Sequence, residues 1–272
     1  MSKTFWIRMA TLLPAAVTLH LVLHGTTDLV PDVGAVGAFV TAIGTLYSVL
    51  AGFTVISVWT EFTDTDRAIK REARELSELY RYVGYVSDTE GVTRARAAIV
   101  HYRDEVLTTE WGAMMAGGSV TAAEGEFLAM ADAVNAIDVV TPKDVPAWAE
   151  AVRTLGAVSD ARGDRILLVT LRMPGLLRLL LYIATTTLVG GMLLLGFDSA
   201  LVGALVVGVT AGLSLLVLDI IDDIDDPIGG AWGISAQPLA RIKFAKASED
   251  VHGEPETPMG SHSATQPIGP RV

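Results

Sequence analysis

Four long stretches of the chain contain no charged side chain, and each is about as long as a membrane-crossing helix. They cover residues 9–27, 33–60, 179–197 and 199–218. A membrane-spanning helix needs roughly 20 mostly apolar residues with no charge near its centre. The pattern therefore predicts four transmembrane helices, the last two joined by a tight turn at Asp198.

Between the second and third stretches, apolar residues recur at spacings of four, three, four and three, as one face of a helix requires. They are Ile69, Ala73, Leu76, Tyr80 and Val83. Further helices are predicted over residues 93–115, 122–137 and 147–171, and no segment alternates with the period of a strand. The predicted fold class is an all-α membrane protein whose four transmembrane helices continue into a cytoplasmic helical domain.

The predicted organisation has five parts. Residues 1–60 hold transmembrane helices 1 and 2, residues 61–175 the cytoplasmic helical domain, residues 176–220 transmembrane helices 3 and 4, residues 221–248 a cytoplasmic C-terminal segment, and residues 249–272 a tail. Pro, Gly, Ser and Thr dominate this tail, which has no apolar face, so we predict that it is disordered.

Basic residues determine the predicted orientation. Arginine and lysine precede the first and third stretches and follow the second and fourth, whereas the two remaining connections carry none. Because cytoplasmic loops are enriched in these residues, we expect a multi-pass protein of the cell membrane with both termini cytoplasmic. The net charge of −11 argues against a nucleic-acid partner. The sequence lacks a P-loop, an HExxH motif and a nucleophile elbow, so we predict no enzymatic activity.

An acidic cluster follows the fourth stretch. Asp219, Asp222, Asp223 and Asp226 have the spacing i, i+3, i+4, i+7 and share one helical face if the helix continues to Pro227. Like charges at this spacing destabilise a helix, so a compensating partner is expected. A calcium ion, which takes six to eight oxygen ligands, is one hypothesis. Pairing with arginines of the cytoplasmic helices, or simple solvation, is the alternative.

Two further patterns concern how the helices pack. The second stretch is rich in small residues, which indicates either close helix packing or a helix that lines a pore. In the cytoplasmic part, Glu110 and the arginines Arg162 and Arg165 are candidates for a buried ion pair between helices.

Several segments resemble a prokaryotic membrane family described as bestrophin-like. They are EAREL with LYR in residues 72–81, Y..EVLTTEW in 102–111, DARGDRI in 160–166 and LDIIDDIDDPIGG in 218–230. The resemblance extends over residues 34–242 and implies an oligomeric channel related to the pentameric bestrophin anion channels. Residues 48–53 are similar to the bestrophin pore segment, which implies that Thr45, Val49 and Phe53 face the pore. The acidic cluster is similar in place to the bestrophin calcium site.

The functional hypothesis is therefore a subunit of an oligomeric, anion-conducting channel, with the second helix lining the pore. The expected partners are the lipid bilayer and further copies of the chain, a pentamer if the resemblance extends to the assembly. The alternative is a non-conducting membrane scaffold or regulatory protein that acts through its cytoplasmic helices. A ring with an axial path favours the channel, and a dimer without one favours the scaffold.

Overall fold

The computed structural model describes residues 11–12, 14–19, 21–22, 33–118, 121–195 and 197–244. These residues form helices and no strand, which confirms the all-α fold class. The main helices are α1 (Val33–Val83), α2 (Thr89–Glu105), α3 (Trp111–Met115), α4 (Glu124–Asn135), α5 (Asp144–Thr170), α6 (Gly175–Leu193), α7 (Ala200–Ile224) and α8 (Gln237–Ala240). A π-helical turn, Val106–Glu110, joins α2 to α3.

Helix α1 unites the second predicted membrane stretch and the first amphipathic helix outside the membrane. Its 51 residues give a length of about 77 Å, because each residue of an α-helix adds roughly 1.5 Å. The helix crosses the predicted segment boundary at residue 60 without interruption. All five residues of its predicted apolar face are buried, which confirms that face.

Three helical runs among the described residues are long and apolar enough to cross a membrane. They lie within α1, within the run formed by α5 and α6, and within α7. The chain leaves helical geometry between α5 and α6, where Leu171 is extended and Pro174 precedes the first residue of α6. The first predicted span lies only partly within the described residues, and each described residue from 11 to 22 is helical. The count of four spans thus remains a prediction.

The start of α2 and the end of α7 differ from what the sequence patterns indicated, and both have a local cause. Helix α2 begins at Thr89 rather than residue 93, because the Asp88 carboxylate caps it by accepting a hydrogen bond from the Gly91 N–H at 3.0 Å. Helix α7 ends at Ile224, before Pro227. A proline disfavours helical geometry in the residue before it. Asp226 therefore does not continue the helical face that carries the other aspartates.

Two hydrophobic clusters form the interior, and α1 contributes to both. One cluster joins the membrane part of α1, including Tyr47 and Val58, to α6 and α7. The larger cluster joins the other half of α1 to α2–α5 and to residues of the C-terminal segment. One continuous helix therefore connects the membrane part with the helical domain outside it.

Candidate functional site

The three predicted pore residues lie on one exposed side of α1. Thr45 is exposed, and the exposed fractions of Val49 and Phe53 are 54% and 72%. The other side of the helix is buried through Ala51 and Thr54. Because residues four apart lie above one another on a helix, the three side chains follow one another along the exposed side. In a single protomer this side is free to meet lipid, water or another copy.

The composition of this exposed face differs from that of α7. Hydroxyl-bearing and glycine residues occupy much of the membrane part of α1, whereas large aliphatic side chains cover the exposed face of α7. The former are Thr41, Thr45, Ser48 and Gly52, and the latter are Leu201, Leu205, Val209 and Leu213. Small and hydroxyl-bearing residues are typical of helix faces that pack on protein in a membrane. The exposed face of α1 carries such residues beside large apolar ones, among them Leu46, Val49 and Phe53, so it is more mixed in character than the exposed face of α7.

A groove of about 460 Å³ separates this part of α1 from α7. Thr45 and Ser48 line it from α1, and Thr210 and Ser214 line it from α7. The Thr45 hydroxyl donates to the Thr41 carbonyl at 2.9 Å, and the Ser48 hydroxyl donates to a carbonyl of its own helix at 2.7 Å. These hydrogen bonds satisfy the hydroxyl protons inside the membrane. Sequence reasoning missed the polar residues of α7, because nothing in its apolar pattern set them apart.

The aspartates at the end of α7 and just beyond it are held by several different groups, and Asp222 and Asp225 share Arg178 as a partner. Asp222 accepts a hydrogen bond from the Tyr182 hydroxyl at 2.7 Å and lies 3.5 Å from Arg178 Nε. Asp223 accepts from the backbone N–H groups of Ala231 and Trp232 at 2.7 and 3.2 Å. Asp219 is buried within α7.

The remaining two aspartates pair with one arginine from the connection between α5 and α6 and one from the first turn of α6. Asp226 binds Arg172 at 2.9 Å. Asp225, which was not among the predicted site residues, lies 2.5 Å from an Arg178 guanidinium nitrogen and accepts from the Met173 N–H at 2.7 Å. These contacts fit the arginine-paired alternative. Within the described residues, no three His, Cys, Asp or Glu side chains are arranged to hold a metal ion, and calcium binding remains a prediction.

A second charged site is buried in the helical domain. Arg165 on α5 contacts Glu72 on α1 at 2.5 and 3.3 Å and Glu110 at 2.7 Å, and all three side chains are fully buried. Arg162 approaches Glu110 at 3.3 Å. The predicted pairing of Glu110 with both arginines is thus confirmed. Sequence reasoning missed Glu72, although its place among the buried residues of the amphipathic face was a usable signal.

The local geometry around Glu110 explains how the network is built. The π-helical turn ends at Glu110, and turns of this kind are frequent at functional sites. The Glu110 carboxylate also accepts from the Ala123 N–H at 2.9 Å, while the Tyr102 hydroxyl donates to Glu72 at 2.5 Å. Burial, together with the nearby Glu72 charge, raises the pKa of Tyr102 well above its usual value, so this hydroxyl remains a donor. The network ties α1 to the helix that leads into α6.

Comparisons with known proteins agree with this architecture. The family model of the Bestrophin-like domain matches residues 9–239. No curated protein matches the chain. A crystal structure of a bacterial bestrophin homolog from Klebsiella pneumoniae is similar at 13% identity and a TM-score of 0.66, over 85% of this chain and 94% of that one. A mutant form of that homolog is similar at 12% identity and a TM-score of 0.71, over 89% and 96%.

Proposed function

The chain belongs to the Bestrophin-like family, and on that premise we propose that it is a subunit of an oligomeric, anion-conducting channel. The observation that carries the proposal is the exposed side of α1, which holds Thr45, Val49 and Phe53 in a helix that runs from the membrane into the helical domain. We infer residence in the cell membrane with both termini cytoplasmic, because the basic residues flank the membrane stretches on one side.

In the proposed assembly, copies of α1 surround a central axis with this side turned inward. Thr45, Val49 and Phe53 then form three rings spaced about 6 Å apart, because four helical residues rise roughly 1.5 Å each. The Phe53 ring is the one nearest the helical domain outside the membrane, and phenylalanine has the largest apolar side chain of the three residues. A ring of phenylalanines without polar groups opposes the passage of hydrated ions by dewetting.

The experiment measures chloride flux in liposomes that contain equal amounts of wild type, Phe53→Ala or Leu205→Ala. Phe53→Ala should increase the flux several-fold, because a wider and less apolar ring is more easily wetted. Leu205→Ala is the matched control, since it truncates an exposed apolar side chain of α7 instead of α1. We expect its flux to equal that of wild type.

The mass of the protein in detergent separates the two candidate functions. A closed ring of identical subunits, together with higher flux through Phe53→Ala, supports the channel. A dimer that gives no flux as wild type or as Phe53→Ala contradicts it, and the non-conducting scaffold is then the better explanation. In that case Phe53→Ala should change only the thermal stability.

A further inference from the structure

A cavity of about 440 Å³ lies between α1 and residues 231–244 of the C-terminal segment. Phe62, Asp66 and Lys70 line it from α1, and Gln237 and Arg241 are among the residues that line it from the C-terminal segment. Cavities of roughly 300–1,000 Å³ are the usual size of small-ligand sites. This one is open to solvent and belongs neither to the exposed side of α1 around Phe53 nor to the buried charge network.

The C-terminal segment is fixed on both sides of the cavity. At its start, the Asp223 carboxylate accepts hydrogen bonds from two of its backbone N–H groups. In its middle, Leu239 is fully buried in the larger hydrophobic cluster. At its end, the Phe244 ring packs on Tyr80 of α1 with the ring centroids 4.6 Å apart. The gap between α1 and this segment is therefore a defined feature of the fold.

The charged groups of the cavity favour an anion. The Lys70 ammonium lies 2.5 Å from the Asp66 carboxylate, which leaves two of its three protons for another acceptor. The Arg241 guanidinium has no ion-pair partner in the part of the chain that the structure describes. The three charged side chains give the cavity a net charge of +1 in a chain whose net charge is −11.

The position of the cavity places it beside the membrane surface. The rings of Trp59 and Phe62 stack with their centroids 6.0 Å apart, at the end of the charge-free stretch of α1. Trp232, which is 55% exposed, precedes the first lining residue of the C-terminal segment, Ile234, by two positions. Tryptophan is enriched at the level of the lipid headgroups. Lys70 lies eight residues beyond Phe62, about 12 Å along the helix, and long basic side chains can extend back toward the headgroups.

We propose that this cavity binds a phosphate group, with Arg241 and Lys70 as its charged ligands and the Gln237 side-chain amide as a further donor. A guanidinium offers two parallel N–H donors to phosphate, and an ammonium adds a point charge. The membrane level of the cavity favours the headgroup of an anionic phospholipid as the source, with Phe62 beside its glycerol and acyl part. A soluble phosphate compound offers the same chemistry. The proposal is independent of ion conduction.

The test measures the melting temperature of the purified full-length protein in detergent during titration with three probes. They are a short-chain phosphatidylglycerol, the matching phosphatidylcholine, and inorganic phosphate against sodium chloride of equal ionic strength. Phosphatidylglycerol should raise the melting temperature at concentrations at which phosphatidylcholine has no effect. Arg241→Gln should weaken this binding about tenfold, as expected for the loss of a charged hydrogen-bond donor. Arg241→Lys should retain much of it.

Lys243→Gln is the matched control, because it removes the same charge from the same segment outside the cavity. Its binding should equal that of wild type. If inorganic phosphate reproduces the effect and phosphatidylglycerol does not, the phosphate site stands and its ligand comes from solution. Equal weakening by Lys243→Gln and Arg241→Gln would show non-specific surface attraction and overturn the site. The absence of any difference between the three probes would overturn it as well.

Discussion

The buried charge network supports a quantitative prediction about Arg165. Arg165→Met replaces the guanidinium with an apolar side chain and leaves two fully buried carboxylates, Glu72 and Glu110, without their closest cation. Removing one partner of a buried ion pair typically costs about 3–5 kcal/mol. The Tyr102 hydroxyl at 2.5 Å from Glu72, and Arg162 at 3.3 Å from Glu110, remain and limit the loss to that range.

The assay is thermal unfolding in detergent, followed by tryptophan fluorescence. At about 2–4 °C per kcal/mol for a protein of this size, Arg165→Met should lower the melting temperature by roughly 6–20 °C. Arg153→Met is the matched control, because Arg153 forms an exposed pair with Glu150 at 2.5 Å. Solvent screens an exposed pair, so it contributes little to stability and this control should leave the melting temperature almost unchanged.

A second variant separates the effect of charge from that of packing. Adding Glu72→Leu to Arg165→Met removes one of the two unpaired carboxylates and should recover part of the lost stability. If Arg165→Met destabilises the protein no more than Arg153→Met does, the network is not a buried stabilising contact and the reasoning is wrong. If the double variant is less stable than Arg165→Met, lost packing and not unpaired charge explains the effect.

Three further predictions concern other parts of the chain. A Cβ added at Gly191 would lie 2.8 Å from a valine methyl of α1, so Gly191→Ala should destabilise the protein, whereas Gly190→Ala, with open space around it, should not. Backbone N–H groups lower the pKa of Asp88 below 3.8, so its charge stabilises the fold above that pH and this contribution is lost as the pH falls through the lowered pKa. The difference in melting temperature between wild type and Asp88→Asn should therefore be present at pH 6 and shrink below pH 3.8. If calcium occupies the acidic cluster, it should raise the melting temperature of wild type but not of the double variant Asp222→Asn with Asp223→Asn, and equal melting temperatures with and without calcium would contradict that site.

The features that the sequence alone determined are those that depend on neighbouring residues. Charge-free length marked the membrane parts of α1, α6 and α7, because the bilayer excludes unpaired charge over a fixed thickness. The 3.6-residue period identified the buried face from Ile69 to Val83, because residues three and four apart share one side of a helix. The segments that resemble the family and the four-residue spacing of Thr45, Val49 and Phe53 are likewise local properties.

Contacts between distant parts of the chain needed the tertiary structure. Glu72 and Arg165 are 93 residues apart, so no spacing rule could pair them. The periodicity of α7 suggested one acidic face, but the helix ends at Ile224, and Asp222 and Asp223 contact different groups, the Tyr182 hydroxyl and the Ala231 N–H. The cavity at Arg241 exists only because the C-terminal segment folds back along α1. Local patterns specify which residues are buried or exposed, whereas the packing of helices decides which buried charges meet.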